Sequence, residues 1–445
     1  MAVSGPRGMG AFFTVWAGQL VSVVGTSLTG FGLQVWVYLE TGSVTRLAMV
    51  SLAFALPAVV LSPIAGALVD RWDRRAAMLG ADAAAGAATL VVAALHFTGR
   101  LEIWHVFVLV GVGSVANAFQ VPAWMASVPL LVPPRHLGRA NGLVQVNDAA
   151  ALVVAPAAAG ALLATLGLGA VLLADVVTFL VAVATLAIVR FPRPERPPEA
   201  AGVTIGEDVR LGWRYLRERT GLVWLLGLYA GVNFVLTFAL VLLIPLIVAF
   251  STETAAGAVF SLSGVGMLAA SLAVSARGVP RRRVLTILAG IALGGAAVAV
   301  TGLRPSLLLI GAGITAIHLV LPVVNASSQV IWQTKVAPGV QGRVFALRRM
   351  ISQAIAPIAI LLAGPLADRV FEPLMADDGA LAGTIGRILG TGPGRGIGLM
   401  FVLAGAGTVL LAGGGWMQPR LRHLEEELPD QPVPDALDTD PQTTP

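Results

Sequence analysis

The sequence predicts an all-α membrane protein with twelve transmembrane helices in two bundles of six. Three observations carry this prediction. Of the 445 residues, 56% are hydrophobic and only 12% are charged, whereas a soluble domain carries about 25% charged residues. The apolar residues form twelve runs, each long enough to cross a hydrocarbon core of about 30 Å. The longest polar break follows the sixth run, so the chain divides into two equal sets of runs and a soluble enzyme is excluded.

Each run fits one membrane-spanning helix. Backbone groups in lipid must bond within their own segment, and a β-barrel would show short alternating segments, so helices are predicted. The first run is long and has no small-residue cleavage site, so we interpret it as a retained span and not a signal peptide. The predicted spans are 12–39, 46–69, 76–97, 103–130, 140–164, 169–190, 221–249, 255–276, 284–303, 306–332, 350–371 and 396–417.

Positive charge alternates between the two sides of the predicted bundle. Of the 29 Lys and Arg residues, 23 fall in the N-terminus, the even-to-odd loops and the tail. The positive-inside rule therefore predicts that both termini are cytoplasmic and that the protein spans the plasma (inner) membrane. Because the basic residues lie between apolar runs, nucleic acid is not an expected partner.

The long break and the charged tail predict four regions. The break contains an amphipathic segment, Ile205–Arg219, with Ile205, Val209, Trp213 and Leu216 on one face, which is typical of a helix lying on a membrane surface. The tail is rich in proline and acidic residues, so a disordered cytoplasmic segment is predicted. The regions are an N-terminal bundle (1–190), a cytoplasmic linker (191–220), a C-terminal bundle (221–418) and the tail (419–445).

The two halves repeat each other in sequence. Gly138-Arg139 follows the fourth predicted span, and Gly342-Arg343 follows the tenth, in the matching loop. Ala155-Pro156 in the fifth span is echoed by Ala356-Pro357 in the eleventh. Many secondary transporters are built from such repeats, with the substrate site at the interface between them.

The loop after the second span resembles a known signature. It reads Gly66-Ala67-Leu68-Val69-Asp70-Arg71-Trp72-Asp73-Arg74-Arg75, similar to the Gly-x-Leu-Ala-Asp-Arg-x-Gly-Arg-Lys signature of the major facilitator superfamily. Asp73 stands at the second glycine and Arg75 at the lysine. The stretch from Leu56 to Gly66 and the segment Gly342-Arg343-Val344-Phe345 look like the drug-exporter branch that includes macrolide-efflux and siderophore-export proteins. The resemblance implies alternating access by two rocking bundles and efflux of bulky, partly apolar compounds.

The charged loops are candidates for the gates of such a cycle. A carboxylate at the end of a span can pair with arginines or meet the positive N-terminus of a neighbouring helix in one conformation only. Anchoring of the topology by basic residues alone is the alternative. The candidate gate residues are Gly66, Asp70, Arg71, Arg74, Arg75, Gly138, Arg139, Gly342 and Arg343.

Polar residues within spans are costly and therefore suggest function. In the fifth span Asn141, Gln145 and Asp148 share one helical face. Asp148 is placed near mid-bilayer, where it could exchange a proton or contact substrate; a neutral or paired aspartate that ties helices together is the alternative. Asp82 is predicted to pair with the arginine loop, whereas Asp175 is equally consistent with packing or function.

The resemblance implies that the first, fourth, seventh and tenth spans line a central cavity. In the tenth span His318, Asn325 and Gln329 form one stripe. Gln19, Asn117 and Asn233 lie on the other three spans. None of these faces carries a basic residue, which argues against phosphate or dicarboxylate substrates.

Several kinds of site are missing from the sequence. Cysteine is absent and the five histidines are scattered, so no metal site or other cofactor is predicted. The single lysine, Lys335, is not part of a phosphate-binding loop, so the chain is not predicted to be an enzyme or an ATP-driven pump. The leading hypothesis is a monomeric secondary exporter of small, partly apolar molecules, with proton coupling left open. An importer of an uncharged metabolite and a non-transporting membrane sensor or scaffold are the alternatives.

Overall fold

The structure, a computed structural model, describes residues 9–133, 136–189, 191, 205–337 and 340–429. Within these ranges twelve helices are long and apolar enough to cross a membrane, so the predicted fold class is confirmed. The N-terminal half contains α1 (Met9–Thr41), α2 (Val44–Arg71), α3 (Arg74–Phe97), α4 (Ile103–Leu131), α5 (Leu137–Leu166) and α6 (Leu168–Ile188). After α7 (Ile205–Arg217), the C-terminal half contains α8 (Thr220–Val248), α9 (Glu253–Arg277), α10 (Arg283–Leu303), α11 (Leu307–Lys335), α12 (Gln341–Leu366) and α15 (Arg395–Met417). The short helices are α13 (Glu372–Leu374), α14 (Ile385–Leu389), α16 (Pro419–Arg422) and α17 (Leu424–Glu427).

Short polar side chains cap the N-termini of several membrane helices. Ser43 accepts the backbone N–H of Arg46 at the start of α2, and Asp73 accepts that of Ala76 at the start of α3. Thr252 plays the same part at the start of α9. Such caps bond backbone donors that the first turn of a helix leaves unpaired, so the helices begin at defined positions.

Each half is held together by extensive helix packing. In the N-terminal half α1 packs on α5 and α6, α3 on α4 and α6, and α2 on α4. In the C-terminal half α10 packs on α11 and α15, α9 on α11, and α8 on α12 and α15. Between the halves, α5 packs on α9 and α2 on α12, with a smaller contact of α2 on α8, so the first two helix pairs form most of the interface.

The hydrophobic core is continuous between the halves at one end of the bundle only. There a single cluster joins side chains of α1, α2 and α5 to side chains of α8, α9 and α12. Phe31 of α1 meets Phe260 of α9 edge to face, with ring centroids 5.4 Å apart. At the other end the described buried residues form two clusters, one in each half. We call the first the sealed end and the second, which carries the arginine-rich α2–α3 and α9–α10 loops, the arginine-bearing end.

The eleventh membrane helix is longer than the sequence predicted. The predicted span begins at residue 350, whereas α12 begins at Gln341 and includes Arg348 and Arg349. The Arg348 guanidinium donates a 3.0 Å hydrogen bond to Gln329 Oε1 and lies 5.3 Å from the ring centroid of Trp332. The predicted start of the eleventh span was wrong, because Arg348 and Arg349 are charged and the sequence pattern therefore places them in the preceding loop. In the structure, the contacts with Gln329 and Trp332 accommodate Arg348 within the helix.

The amphipathic helix α7 packs on the C-terminal half. Leu216 is buried, and the Tyr215 hydroxyl accepts the backbone N–H of Ala337 at 3.0 Å. Trp213 remains exposed. Two residues of the predicted apolar face therefore differ in their surroundings, because Leu216 packs against the C-terminal half whereas Trp213 is exposed. Two more residues of that face, Ile205 and Val209, have side chains outside the described set.

The start of the tail is ordered, in contrast to the prediction of disorder from residue 419. The helices α16 and α17 bury Leu421 and Leu424 against the C-terminal half. The sequence signal for disorder comes from the prolines and aspartates after Leu428, whereas these two leucines precede them and supply the apolar surface that docking needs. Residues 430–445 lie outside the described part of the chain.

Lys335 fastens this tail segment to the end of α11. Its side chain is buried, and its ammonium group donates hydrogen bonds to the backbone carbonyls of Glu425, at 2.8 Å, and of Leu428. The carboxylate of Glu425 in turn accepts the backbone N–H of Val284, at 3.0 Å, at the start of α10. The tail therefore connects the ends of two helices of the C-terminal half.

We expect Lys335→Met to lower the stability of the C-terminal half. The change leaves two carbonyls without their donor, and an unsatisfied buried polar group costs about 1–3 kcal/mol. Thermal unfolding of the purified protein in detergent should show a lower midpoint. Arg420→Gln is the matched control, because the exposed Arg420 makes one hydrogen bond to Thr220. Equal midpoints for Lys335→Met and wild type would contradict this account.

Candidate transport pathway and gates

The loop between α2 and α3 is tied to the N-terminal half by its arginines. Arg74 donates a 2.6 Å hydrogen bond to the carbonyl of Ala126 in α4. Arg75 donates to the carbonyls of Leu186, at 2.9 Å, and Ala187, at 2.7 Å, at the end of α6. Leu186 and Ala187 lie in the last turn of α6, where a cation bonds unpaired carbonyls and complements the helix dipole. These hydrogen bonds show that Arg74 and Arg75 hold the α2–α3 loop against α4 and α6. Their role in a gate stays a prediction.

Asp73 fills the glycine position of the signature without strain. Its backbone is extended, with φ −65° and ψ 115°, and its carboxylate begins α3. A glycine is therefore not required at this position. Gly66 and the side chains of Asp70 and Arg71 lie outside the described set, so the gate role of these three residues also stays a prediction.

The paired Gly-Arg loops are only partly described. Arg139 is exposed and Arg343 half-buried in the first turn of α12. The carbonyl oxygen of Arg343 lies beside Gly212 of α7, where an added Cβ would be 3.3 Å away. Gly138 and Gly342 lie outside the described set, so the equivalence of the two loops remains a prediction.

Three polar side chains form a chain across α4, α1 and α3. Gln120 Nε2 donates to Gln19 Oε1 at 2.7 Å, and Gln19 Nε2 donates to Asp82 Oδ2 at 3.4 Å. Asp82 is 6% exposed. Asp82 is hydrogen-bonded to an amide, and the loop arginines Arg74 and Arg75 bond backbone carbonyls. The predicted pairing of Asp82 with the arginine loop stays a prediction, because the side chain of Arg71 lies outside the described set. The result is a buried carboxylate reached through two glutamines.

The second buried carboxylate, Asp175, ties helices together. Thr89 of α3 donates a 2.9 Å hydrogen bond to its Oδ2. Gly25 of α1 lies so close that an added Cβ would be 2.9 Å from Asp175 Oδ1. Because the carboxylate is enclosed by α1, α3 and α6, the geometry favours the packing interpretation.

The other predicted pathway residues do not form one cluster. His318 Nδ1 lies 3.0 Å from the Ile314 carbonyl of its own helix. Gln329 bonds Arg348, as described above. Asn325 and Asn117 are exposed and Asn233 is half-buried. The side chains of the α5 stripe lie outside the described set, and their role stays a prediction: Asn141, Gln145 and Asp148.

The sealed end closes along two seams, of which the first is between α5 and α9. The hydroxyl of Thr254 donates to the Gly160 carbonyl at 3.3 Å, and Ala157 N–H donates to Ser261 Oγ at 3.0 Å. An added Cβ on Gly257 would be 3.0 Å from the carbonyl carbon of Pro156 and closer still to its oxygen. The two helices therefore meet backbone to backbone.

The second seam is between α2 and α12, and the sequence analysis missed its central residue. Asp368, in the π-helical turn Ala367–Phe371 that follows α12, accepts hydrogen bonds from the start of α2. A usable sequence signal did exist. Gly364-Pro365-Leu366-Ala367-Asp368-Arg369 repeats the Gly-x-Leu-x-Asp-Arg spacing of residues 66–71.

Comparison with known proteins now decides the family. The model of the Major Facilitator Superfamily matches residues 15–361, well over half of the chain. The chain belongs to the Major Facilitator Superfamily. It is therefore a membrane transporter, and the predicted resemblance to the drug-exporter branch is confirmed by its relatives.

Two relatives of this superfamily member are drug exporters. Macrolide efflux protein A of Streptococcus pyogenes is 31% identical over 368 residues, which cover 81% of this chain and 90% of that protein. Multidrug efflux pump Tap of Mycobacterium tuberculosis is 28% identical over 361 residues, which cover 77% of this chain and 83% of that protein.

Solved structures show the same fold. A bacterial homolog of the human lysosomal transporter Spinster, in an inward-facing and unoccupied conformation, has a TM-score of 0.71 at 14% sequence identity, with 97% of this chain and 100% of that chain covered. The nucleoside transporter NupG has a TM-score of 0.66 at 11% identity, with 91% and 98% covered.

Proposed function

We propose that the chain is a monomeric, proton-coupled secondary exporter of small, partly apolar compounds. The observation that carries the proposal is the 31% identity to macrolide efflux protein A along four fifths of the chain. The one-sided packing of the halves supports it, because alternating access requires states that are closed at one end only.

The arginine-bearing end is proposed to face the cytoplasm. Most arginines lie in the loops and tail at this end, and such an excess marks the cytoplasmic side. Both termini are then cytoplasmic, and the sealed end faces outward. The conformation described here is accordingly the inward-facing one, in which an exporter takes up its substrate.

The side chains along the proposed pathway suit a neutral or cationic substrate with apolar surface. The helices α1, α4, α8 and α11 contain a single Lys or Arg, Lys335, and its ammonium group is bound to the tail. Gln19, Asn117, Asn233 and Asn325 supply amide groups instead. Amides can donate and accept hydrogen bonds without attracting an anion.

Asp82 is the carboxylate that we propose carries the coupling proton. A charge within the bilayer costs about 2.5–3.5 kcal/mol on insertion scales, and Asp82 is held by Gln19 with no cationic partner described. Binding a proton removes that cost, so protonation and conformation become linked. Gln19 and Gln120 extend the site towards α4, and Asp148 is the second candidate for the same role.

Expression in an exporter-deficient host tests the function. We expect lower susceptibility to macrolides or to other partly apolar drugs, and substrate uptake by inside-out vesicles that stops when the proton gradient is collapsed. Cells with empty vector provide the baseline. Unchanged susceptibility across a chemically broad panel, together with no transport in proteoliposomes, would exclude export of this class.

A further inference from the structure

The carboxylate of Asp368 caps a helix of the opposite half. Its Oδ2 accepts the hydroxyl of Ser43 at 2.8 Å and the backbone N–H of Thr45 at 2.9 Å, and its Oδ1 accepts the N–H of Val44 at 3.0 Å. Both oxygens are thus bound to the first turn of α2. A carboxylate at a helix N-terminus bonds unpaired donors and meets the positive end of the helix dipole.

The surroundings of Asp368 fix it to the C-terminal half. In the segment after α12, Glu372 accepts the backbone N–H groups of Gly394, at 3.0 Å, and Ile397, at 2.8 Å, at the start of α15. Arg395 donates to the Gly302 carbonyl at 2.8 Å, near the end of α10. The frame is therefore rigid, and the π-helical turn, a feature frequent at functional sites, directs Asp368 across the interface.

We propose that Asp368 is the latch of the gate at the sealed end. This inference rests on the proposed alternating-access cycle. Because α2 belongs to one half and α12 to the other, the three hydrogen bonds exist only while this end is closed. A charged cap adds about 1–2 kcal/mol to the state that contains it, which corresponds to a population ratio of about 5 to 30.

The repeated motif gives the latch a counterpart at the other end. The helices α2 and α12 run in opposite directions. The motif Gly-x-Leu-x-Asp-Arg ends α2, and its second copy runs from the last turn of α12 into the π-helical turn. Asp70 is therefore at the arginine-bearing end of α2, and Asp368 is at the sealed end of α12. The two aspartates therefore lie at opposite ends of the same helix pair. In the proposed cycle, one copy of the motif acts at the gate on each side of the membrane.

Asp368→Asn tests the latch through the populations of the two states. The chain contains no cysteine, so spin labels can be attached at introduced cysteines. The exposed positions Glu40 and Asp378 report the separation at the sealed end, and Ala76 and Arg277 that at the arginine-bearing end. We expect the variant, without substrate, to change the population ratio of the two states about 5- to 30-fold. The favoured state has a long distance at the sealed end and a short distance at the arginine-bearing end.

Glu425→Gln is the matched control. It weakens a cap of the same kind, at the start of α10, but one that lies entirely within the C-terminal half and away from Asp368, so it should lower thermal stability and leave both distance distributions unchanged. A distribution in Asp368→Asn like that of wild type would overturn the latch. Broadening at the sealed end alone would also overturn it, because local fraying is not gate opening. A single state under every condition tested in wild type would instead reject the alternating-access cycle itself.

Discussion

Replacing Gly364 with leucine should abolish transport while the protein remains folded in the membrane. An added Cβ on Gly364 overlaps the Cα of Thr45 and would lie 2.9 Å from its backbone nitrogen and 3.2 Å from Ala48 Cβ. Because Thr45 is part of the first turn of α2, the overlap can be relieved only by separating α2 from α12. The variant should therefore be held open at the sealed end. Export should fall about a hundredfold or more, since overlap with backbone atoms lies at the upper end of the overpacking range, about 3 kcal/mol, and each step of about 1.4 kcal/mol is a factor of ten in the population of the closed state.

Proteoliposome transport and spin-label distances on the same variant check this result. Gly413→Leu is the control, because Gly413 lies in the membrane helix α15 with open space beside it. The milder Gly364→Ala should show the same shift, and Gly257→Ala should reproduce it at the first seam, between α5 and α9, where Pro156 is the neighbour. Normal transport by Gly364→Leu would show that the backbone contact at Thr45 is not needed for closure.

Asp82→Asn should uncouple export from the proton gradient. The amide keeps the size of the side chain and imitates the protonated carboxyl group, so the variant cannot pass through the charged form. We expect gradient-driven accumulation to fall about tenfold or more, within the range of typical coupling energies. Downhill exchange of substrate and substrate binding should remain measurable. Transport assayed with and without a pH gradient in proteoliposomes separates these quantities.

Asp175→Asn is the matched control for Asp82→Asn. Both carboxylates are buried in the N-terminal half, but Asp175 is bound by Thr89 and enclosed by helices. We expect Asp175→Asn to lower the unfolding midpoint and to keep its gradient dependence. If Asp82→Asn retains full gradient dependence, the proton site lies elsewhere, and Asp148→Asn becomes the deciding variant.

Much of the fold could be predicted because long apolar runs carry their information locally. The span predicted at 396–417 coincides closely with α15 (Arg395–Met417). The eleventh span could not be placed from residue 341, since the contacts that accommodate Arg348 come from Gln329 and Trp332 on another helix. Hydropathy within a window does not report such partners.

The site was less predictable because its contacts join distant parts of the chain. Asp82 bonds Gln19, 63 residues away along the chain. Asp368 bonds Ser43, 325 residues away. From the sequence alone, Asp368 is a charged residue near the end of the predicted span 350–371, with no partner indicated. Its motif was visible, but only the packing of α2 on α12 shows what that motif reaches.

The buried Lys335 also makes the docked tail chemically observable. It is the single lysine of the chain, and its ammonium group is enclosed by carbonyls of the tail. Amine-directed acylation of the folded transporter should therefore modify the α-amino group and spare this side chain. Release of the tail would expose one more amine, so the stoichiometry of acylation becomes a count of undocked molecules.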